Sequence, residues 1–237
     1  MQIKVLGVCG TPVKRKVAKG PTNTEVLLAA VLDSCKEQGD VETEAIFPVE
    51  DDFHKGCDQD NWCLMKQSET KICSINDAMT NEYYAKVIAA DALVISTPVY
   101  VGRMCALTAA FIDRLRALEE GKYYGFRGHG PALKDKVLGA CAVAWYRHAG
   151  VETALTTTLY LTSGIFGMIP VGAGPEKYAW GSFGYGAGGA SIGKMDELAN
   201  VKNDEYAMRS AKNLGKRVVE MARIVKAGKE ALARGLV

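Results

Sequence analysis

Four stretches hold residues whose types and spacing could do chemistry. The first is 11–24, where Thr11, Thr22 and Thr24 supply hydroxyls, Asn23 an amide, and Lys14, Arg15, Lys16 and Lys19 positive charge. An apolar run precedes it and a helical pattern follows. A loop running from a strand into a helix N-terminus offers free N–H groups and the positive end of the helix dipole, so it suits a phosphate. Thr22 and Asn23 would serve equally as ordinary helix caps. The second stretch is Pro98-Val99-Tyr100-Val101-Gly102. Pro98 stiffens its entry, Tyr100 offers a flat face, and the N–H groups of 99–102 can bond the edge of a planar ligand. The third, Trp145-Tyr146-Arg147-His148-Ala149-Gly150, mixes aromatic rings with a cation, and a solvated loop would have the same composition. The fourth, 48–75, has no long periodic element, and runs of that kind are usually functional. It carries His54, Cys57, Asp60, Cys63 and Cys73. Zinc on His54, Cys57, Cys63 and Cys73 is one reading, and structural thiols are another.

The elements that must position these loops alternate. Apolar runs predict strands at 3–9, 41–47, 92–97, 137–144 and 165–171, and helical spacing fills the intervals between them. The helix after the third strand reads from 103, with Met104, Leu107, Phe111, Leu115 and Leu118 on one face. The next covers 151–163, with Gly164 as its terminator. A glycine-rich loop at 171–196 contains Tyr178, Trp180, Phe183 and Tyr185, and a long amphipathic helix at 203–236 includes Tyr206, Leu214 and Val218 on its spacing. Such alternation predicts an α/β three-layer sandwich around a five-stranded parallel sheet. Strand order 2-1-3-4-5 is expected, because it gathers the loops after strands 1, 3 and 4 around one crevice.

The totals bound the rest. With 237 residues the chain fits one large domain, or one with an elaboration. A formal charge of +2 gives no reason to expect nucleic acid or an acidic membrane as partner. No apolar run reaches the roughly 18 residues of a membrane span, and the N-terminal pattern reads as a strand instead of a signal peptide. Seven cysteines, an odd number, favour reduced thiols in a cytoplasm, with Cys9, Cys35, Cys105 and Cys141 as small core residues. Without a GxGxxG, a Walker lysine, a nucleophile elbow or HExxH, the sequence disfavours Rossmann dinucleotide binding, NTP hydrolysis and hydrolase chemistry.

Thr97-Pro-Val-Tyr-Val-Gly102, followed by Phe111-Ile-Asp-Arg114, resembles the isoalloxazine loop and next helix of the NAD(P)H-dependent FMN reductase and iron–sulfur flavoprotein families. Those are flavodoxin-like, and the resemblance covers most of the chain in order. Gly10-Thr11-Pro12 and Thr22-Asn23-Thr24 match the two ends of the families' phosphate loop, while Gly150 and Glu152 match the segment before helix 4. The resemblance implies one FMN-binding domain over 1–237, with a cysteine-containing insertion at 48–75 and a Gly/aromatic loop at 171–196. It implies phosphate on Thr11, Thr22, Asn23 and Thr24 with Lys14, Arg15 or Lys16 facing it. The ring would lie on Pro98, Val99, Tyr100, Val101 and Gly102. Trp145, Tyr146, Arg147 and Gly150 would meet its polar edge, where Arg147 would stabilise an anionic reduced flavin.

The reaction implied is hydride transfer from NAD(P)H to FMN and onward to a small-molecule or redox-protein acceptor. No dedicated acid–base residue is needed. Iron–sulfur flavoproteins carry Cys-x2-Cys-x2-Cys and a fourth Cys in the interval where this chain has Cys57-x2-Asp60-x2-Cys63-x9-Cys73. By that resemblance Cys57, Asp60, Cys63 and Cys73 would hold a [4Fe-4S] cluster fed by a ferredoxin, with Asp60 replacing a thiolate. A third reading is a flavin-binding sensor that turns nothing over. The resemblance also implies a homodimer or homotetramer. The aromatics of 171–196 would cover the flavin or a substrate ring, or else pack for stability.

Overall fold

A computed structural model describes residues 1–53, 55–68, 70–119, 131–146, 149–174, 186–190 and 199–236. Strand β1 is Ile3–Cys9, and β2, Val41–Ile46, lies beside it at the sheet edge, where its residues alternate between half-buried and exposed. Between them stand a one-turn helix α1, Arg15–Ala18, and helix α2, Asn23–Lys36. Among its described residues, the interval 48–75 holds one helical turn, α3, Trp62–Met65. A π-helical turn at Met79–Tyr83 leads into α4, Tyr84–Ala89. Strand β3, Ala92–Tyr100, sits between β1 and β5, Val137–Ala144. A two-residue strand β4, Arg103–Met104, precedes α5, Ala106–Leu115. Helix α6, Val151–Phe166, leads to β6, Ile169–Pro170; then follow β7, Ala187–Ala190, and the long α7, Glu205–Ala233, capped by Asp204.

The pairing order is β2-β1-β3-β5-β6, all parallel, with β7 also parallel on β5. This is the expected flavodoxin-like order. Leu6, Val8, Leu93, Ile95 and Leu138 join the core under α4, α5 and α6, whereas Val5, Cys9, Val94 and Cys141 join the core under α2 and α7. Alternation along each strand thus feeds two apolar layers, as a sheet covered on both faces requires. Burial pushes the Cys9 and Cys35 thiols up to about 12, which fits inert core residues. No helix among the described residues is long and apolar enough to cross a membrane.

Three boundaries differ from the sequence expectation. Helix α6 passes through Gly164 and ends at Gly167, whose φ of +64° supplies the left-handed stop. The fifth strand therefore starts at Ile169, and its two pieces share one line: β6 pairs with Val137–Leu138 and β7 with Cys141–Ala144. The chain leaves this line after β6 and returns to it at 187, so buried strand lies inside the expected loop 171–196. Ala-Gly-Gly-Ala lacks the β-branched residues that announce a strand. Its small residues answer to close packing: a Cβ on Gly189 would lie 2.6 Å from Val201 Cγ2 and 2.8 Å from Ala207 Cβ. The third difference is at 98–104, described below. Tyr206, expected on the buried face of α7, is exposed.

Helices α2 and α7 meet through Gly215, where a Cβ would fall 2.6 Å from both Ser34 Cβ and the Val31 carbonyl. Ser34 Oγ donates to Lys212 O at 2.7 Å across the same contact. Gly215→Ala would gain helix propensity but overpack the crossing, for a net loss of about 1–2 kcal/mol. A lower urea midpoint at unchanged slope is the expected readout.

Candidate functional site

The carboxyl ends of β1, β3 and β5 are neighbours, with Cys9 opposite Ser96 and Pro98 opposite Val143. Gly10 ends β1 and donates its N–H to Ser96 O at 2.7 Å; a Cβ there would lie 2.0 Å from Thr108 Oγ1, so only glycine fits. Thr97 is the hub beneath. Its Oγ1 accepts from Cys105 N at 3.2 Å and from Thr108 Oγ1 at 3.0 Å, while Cys105 Sγ donates to Gly10 O at 2.9 Å. These buried bonds lock β1, β3 and the start of α5 together.

The loop 11–24 folds over this end. Thr11 is buried, and α1 occupies the middle of the loop. Thr22 caps α2, its Oγ1 accepting from Glu25 N at 3.3 Å. The N–H groups of Asn23 and Thr24 fall in the first turn, where no intrahelical acceptor exists. Thr24 itself is buried, and its carbonyl accepts from Ser96 Oγ at 3.0 Å. Two expected phosphate side chains are otherwise engaged. Asn23 Oδ1 accepts from Val201 N at 2.8 Å, which ties α2 to the approach of α7. Arg15 pairs with Glu25 and lies 4.3 Å from the Phe47 ring centroid. Lys14 and Lys16 are exposed.

The expected loop 98–102 is a hairpin. Strand β3 continues through Pro98 to Tyr100, turns at Val101-Gly102, and returns as β4, pairing Val99 with Met104 and Tyr100 with Arg103. Pro98 lies beyond the last pairing with β1, so its missing N–H leaves no ladder bond unmade on that side. Both turn residues have positive φ, 51° and 75°, as a tight two-residue hairpin requires. Val101 is fully exposed and pays for that turn with strain of order 1–3 kcal/mol. The turn abuts the loop after β5. Gly150 has φ +101°, and a Cβ on it would lie 2.5 Å from Gly102 Cα and O. Trp145 and Tyr146, both exposed, stack at that loop's start with centroids 6.1 Å apart. Burial raises the Tyr100 phenol above its ordinary pKa, which keeps it neutral. Arg147 and His148 lie outside the described residues, as do Tyr178, Trp180, Phe183, Tyr185 and His54.

A second locus gathers the cysteine segment. Cys57, Asp60, Cys63 and Cys73 share the walls of one pocket of about 20 Å³ with Arg114 and Arg116. Among the described residues, no three His, Cys, Asp or Glu side chains converge as metal ligands do. Asp60 Oδ1 accepts from Trp62 N at 3.0 Å, and bonds from Ser74 and that N–H hold its carboxyl below the usual range. Arg114, which the sequence offers only as part of the Phe111–Arg114 motif and with no role of its own, lies on the buried face of α5, as its spacing from Phe111 and Leu118 implies.

A doubly covered parallel sheet in the order β2-β1-β3-β5-β6 defines a flavodoxin-like α/β protein. The family model for NADPH-dependent FMN reductase matches residues 3–175, and the chain belongs to that family. It is a flavin-dependent oxidoreductase with FMN as the implied cofactor. An iron–sulfur flavoprotein of Methanocaldococcus jannaschii is 31% identical over 228 residues, covering 94% of this chain and 100% of that protein. One from Archaeoglobus fulgidus is 35% identical over 219 residues, covering 92% and 96%. Among solved structures, RosB with bound 8-demethyl-8-formylriboflavin-5'-phosphate superposes with a TM-score of 0.66 at 16% identity, covering 99% of this chain and 86% of that one.

Gly150→Ala forces a Cβ into the Gly102 backbone at a φ that L side chains avoid. Bound FMN per protein, read by absorbance after gel filtration, is expected to fall about tenfold or more, the equivalent of ~1.4 kcal/mol. Retained flavin in a folded variant would contradict the contact's role.

Proposed function

We propose that residues 1–237 form one FMN-binding domain whose crevice passes electrons from NAD(P)H to a small-molecule or redox-protein acceptor. The observation that carries this reading is the Gly102–Gly150 backbone contact at the carboxyl edge, beside a helix N-terminus on the neighbouring strand. Bound there, FMN supplies the hydride acceptor and the route onward. The chain's part is to hold it. Thr11, the Thr22 hydroxyl and the N–H groups of Asn23 and Thr24 bind the phosphate, and exposed Lys14 and Lys16 add positive potential. Pro98 to Gly102 bind the ring from one side, and Trp145, Tyr146, Arg147 and Gly150 close its polar edge. A backbone cradle suits a planar ligand because its donors are fixed before binding.

A second reading adds an iron–sulfur centre, so that electrons arrive from a ferredoxin. Three thiols and a carboxylate on one pocket favour it, as do the names of the relatives. In this reading Cys57, Cys63 and Cys73 would be the thiolate ligands and Asp60 the weaker oxygen ligand, although no three of them converge as ligands among the described residues. In that case the segment 57–73 closes on the metal as it binds. Exposed Tyr160 and Ile165 on α6 support a homo-oligomer, and seven free cysteines suit a reducing cytoplasm.

Anaerobic titration of the purified protein with NADPH, then NADH, tests the primary reading. Bleaching of the flavin bands is expected with at least one nicotinamide. Flavin that stays oxidised with both but is bleached by reduced ferredoxin selects the second reading. Flavin that neither donor reduces contradicts both. Thr22→Ala removes a cap worth ~1 kcal/mol together with a phosphate hydroxyl, so FMN affinity should fall several-fold by fluorescence titration.

A further inference from the structure

Cys57, Cys63 and Cys73 share the walls of a pocket of about 20 Å³, room for roughly one water molecule. Among the described residues no three side chains converge there as metal ligands, but a disulfide needs only two sulfurs. All three cysteines are free thiols, and their settings differ. Cys63 is buried in α3 and belongs to the apolar core. Cys73 is half-buried, and its thiol is hydrogen-bonded to the Tyr84 hydroxyl, which donates to Arg114 O at 2.9 Å. Cys57 is also half-buried, and its Sγ accepts from Gln59 N at 3.4 Å.

Cys57 has a second side. It lies in the wall of an open cleft of about 500 Å³, whose other walls include Ile112, Asp113, Arg116, Ile165 and Phe166. That volume is in the range of small-molecule sites. Apolar side chains beside a carboxylate and a guanidinium suit a small peptide-like molecule that carries both charges. Cys57 and Arg116 line both spaces, so a ligand in the cleft meets a thiol that has other thiols behind it. The chain between these thiols passes through Gln59 and Asn61, non-glycine residues at φ of 54° and 55°. Backbone strain of that kind collects at functional and switch segments.

We propose that Cys57 exchanges with a low-molecular-weight, peptide-like disulfide bound in this cleft, and that Cys73 resolves the product. In the first step the Cys57 thiolate attacks one sulfur of the ligand disulfide. A Cys57–ligand S–S bond forms, the ligand's own S–S bond breaks, and one ligand thiolate leaves. In the second step the Cys73 thiolate attacks Cys57 Sγ, the second ligand thiolate leaves, and a Cys57–Cys73 disulfide remains. The two protein thiols lose two electrons and two protons, and the ligand disulfide gains both. The segment thus takes its redox state from the surrounding thiol pool. The inference does not depend on the flavin reading, and it competes with a metal centre for the same thiols.

The test incubates flavin-loaded protein, purified without oxygen, with glutathione disulfide. Free thiols are then alkylated and peptides mapped by mass spectrometry without reduction. Wild type is expected to give a Cys57–Cys73 disulfide as the main product. Cys73→Ser should stop at a glutathione adduct on Cys57, Cys57→Ser should lose both products, and Cys63→Ser should keep the wild-type product. Arg116→Gln should slow the reaction with glutathione disulfide several-fold but leave that with uncharged hydroxyethyl disulfide unchanged. If a cysteine variant does not fold, the wild-type map decides alone. An unmodified Cys57 in wild type, a disulfide that joins Cys63 instead, or iron and acid-labile sulfide on these thiols overturns the proposal. Equal rates in Arg116→Gln and wild type overturn the cleft as the ligand's site. Flavin bleaching by NADPH is read separately, so failure here leaves the flavin reading standing.

Discussion

Gly150 lies against the backbone of Gly102 so closely that a Cβ on it would fall 2.5 Å from Gly102 Cα, whereas Gly102 faces open space and needs glycine only for its φ of +75°. The contact fixes the hairpin after β3 against the loop after β5. It also explains why the hairpin turn accepts an exposed, β-branched Val101 at positive φ: the turn is positioned from outside as well as by its own ladder. Below it, Thr97 joins the same hairpin to Gly10 and α5 through buried hydrogen bonds. A ligand entering this edge meets donors whose positions are already determined, which lowers the ordering cost of binding.

Helix α5 is the structural link between the two loci. Cys105 caps its start under the crevice, and Arg114 lies in its last turn at the cysteine pocket. Ten residues separate the ends by about 15 Å along the axis. The helix is thereby anchored twice, by the Thr97 network at one end and by the Asp77 clamp at the other.

Much of the fold was legible because its strands are apolar and its helices periodic. Both faces of β5 are buried, and 137–144 reads as strand with correct limits. The reading broke where close packing, and not hydrophobicity, chooses the residue. Ala187–Ala190 is a strand of small side chains held against Val201 and Ala207, and no local pattern distinguishes it from a loop. Gly164 looks like a helix stop, yet the stop falls at Gly167, because the adjoining strand pairs from Ile169. At the carboxyl edge, Gly102 and Gly150 stood out by residue type, but 98–102 read as a loop where the structure has a strand end and a hairpin. The engagement of Asn23 with Val201 and of Arg15 with Glu25 was not legible, since those partners are set by tertiary structure. The cysteine spacing pointed to one locus, and its four residues share a pocket; Arg114 entered that pocket through helical phase.

The central claim is that phosphate and ring are held together at one sheet edge by α2's first turn and the paired loops. Fluorescence titration of flavin-free protein with FMN and, separately, with riboflavin measures this directly. The account predicts binding of both, with FMN tighter by about tenfold or more, as a charge-assisted phosphate contact worth ~1.5–3 kcal/mol requires. Equal affinity for the two, or no binding of either, would contradict it.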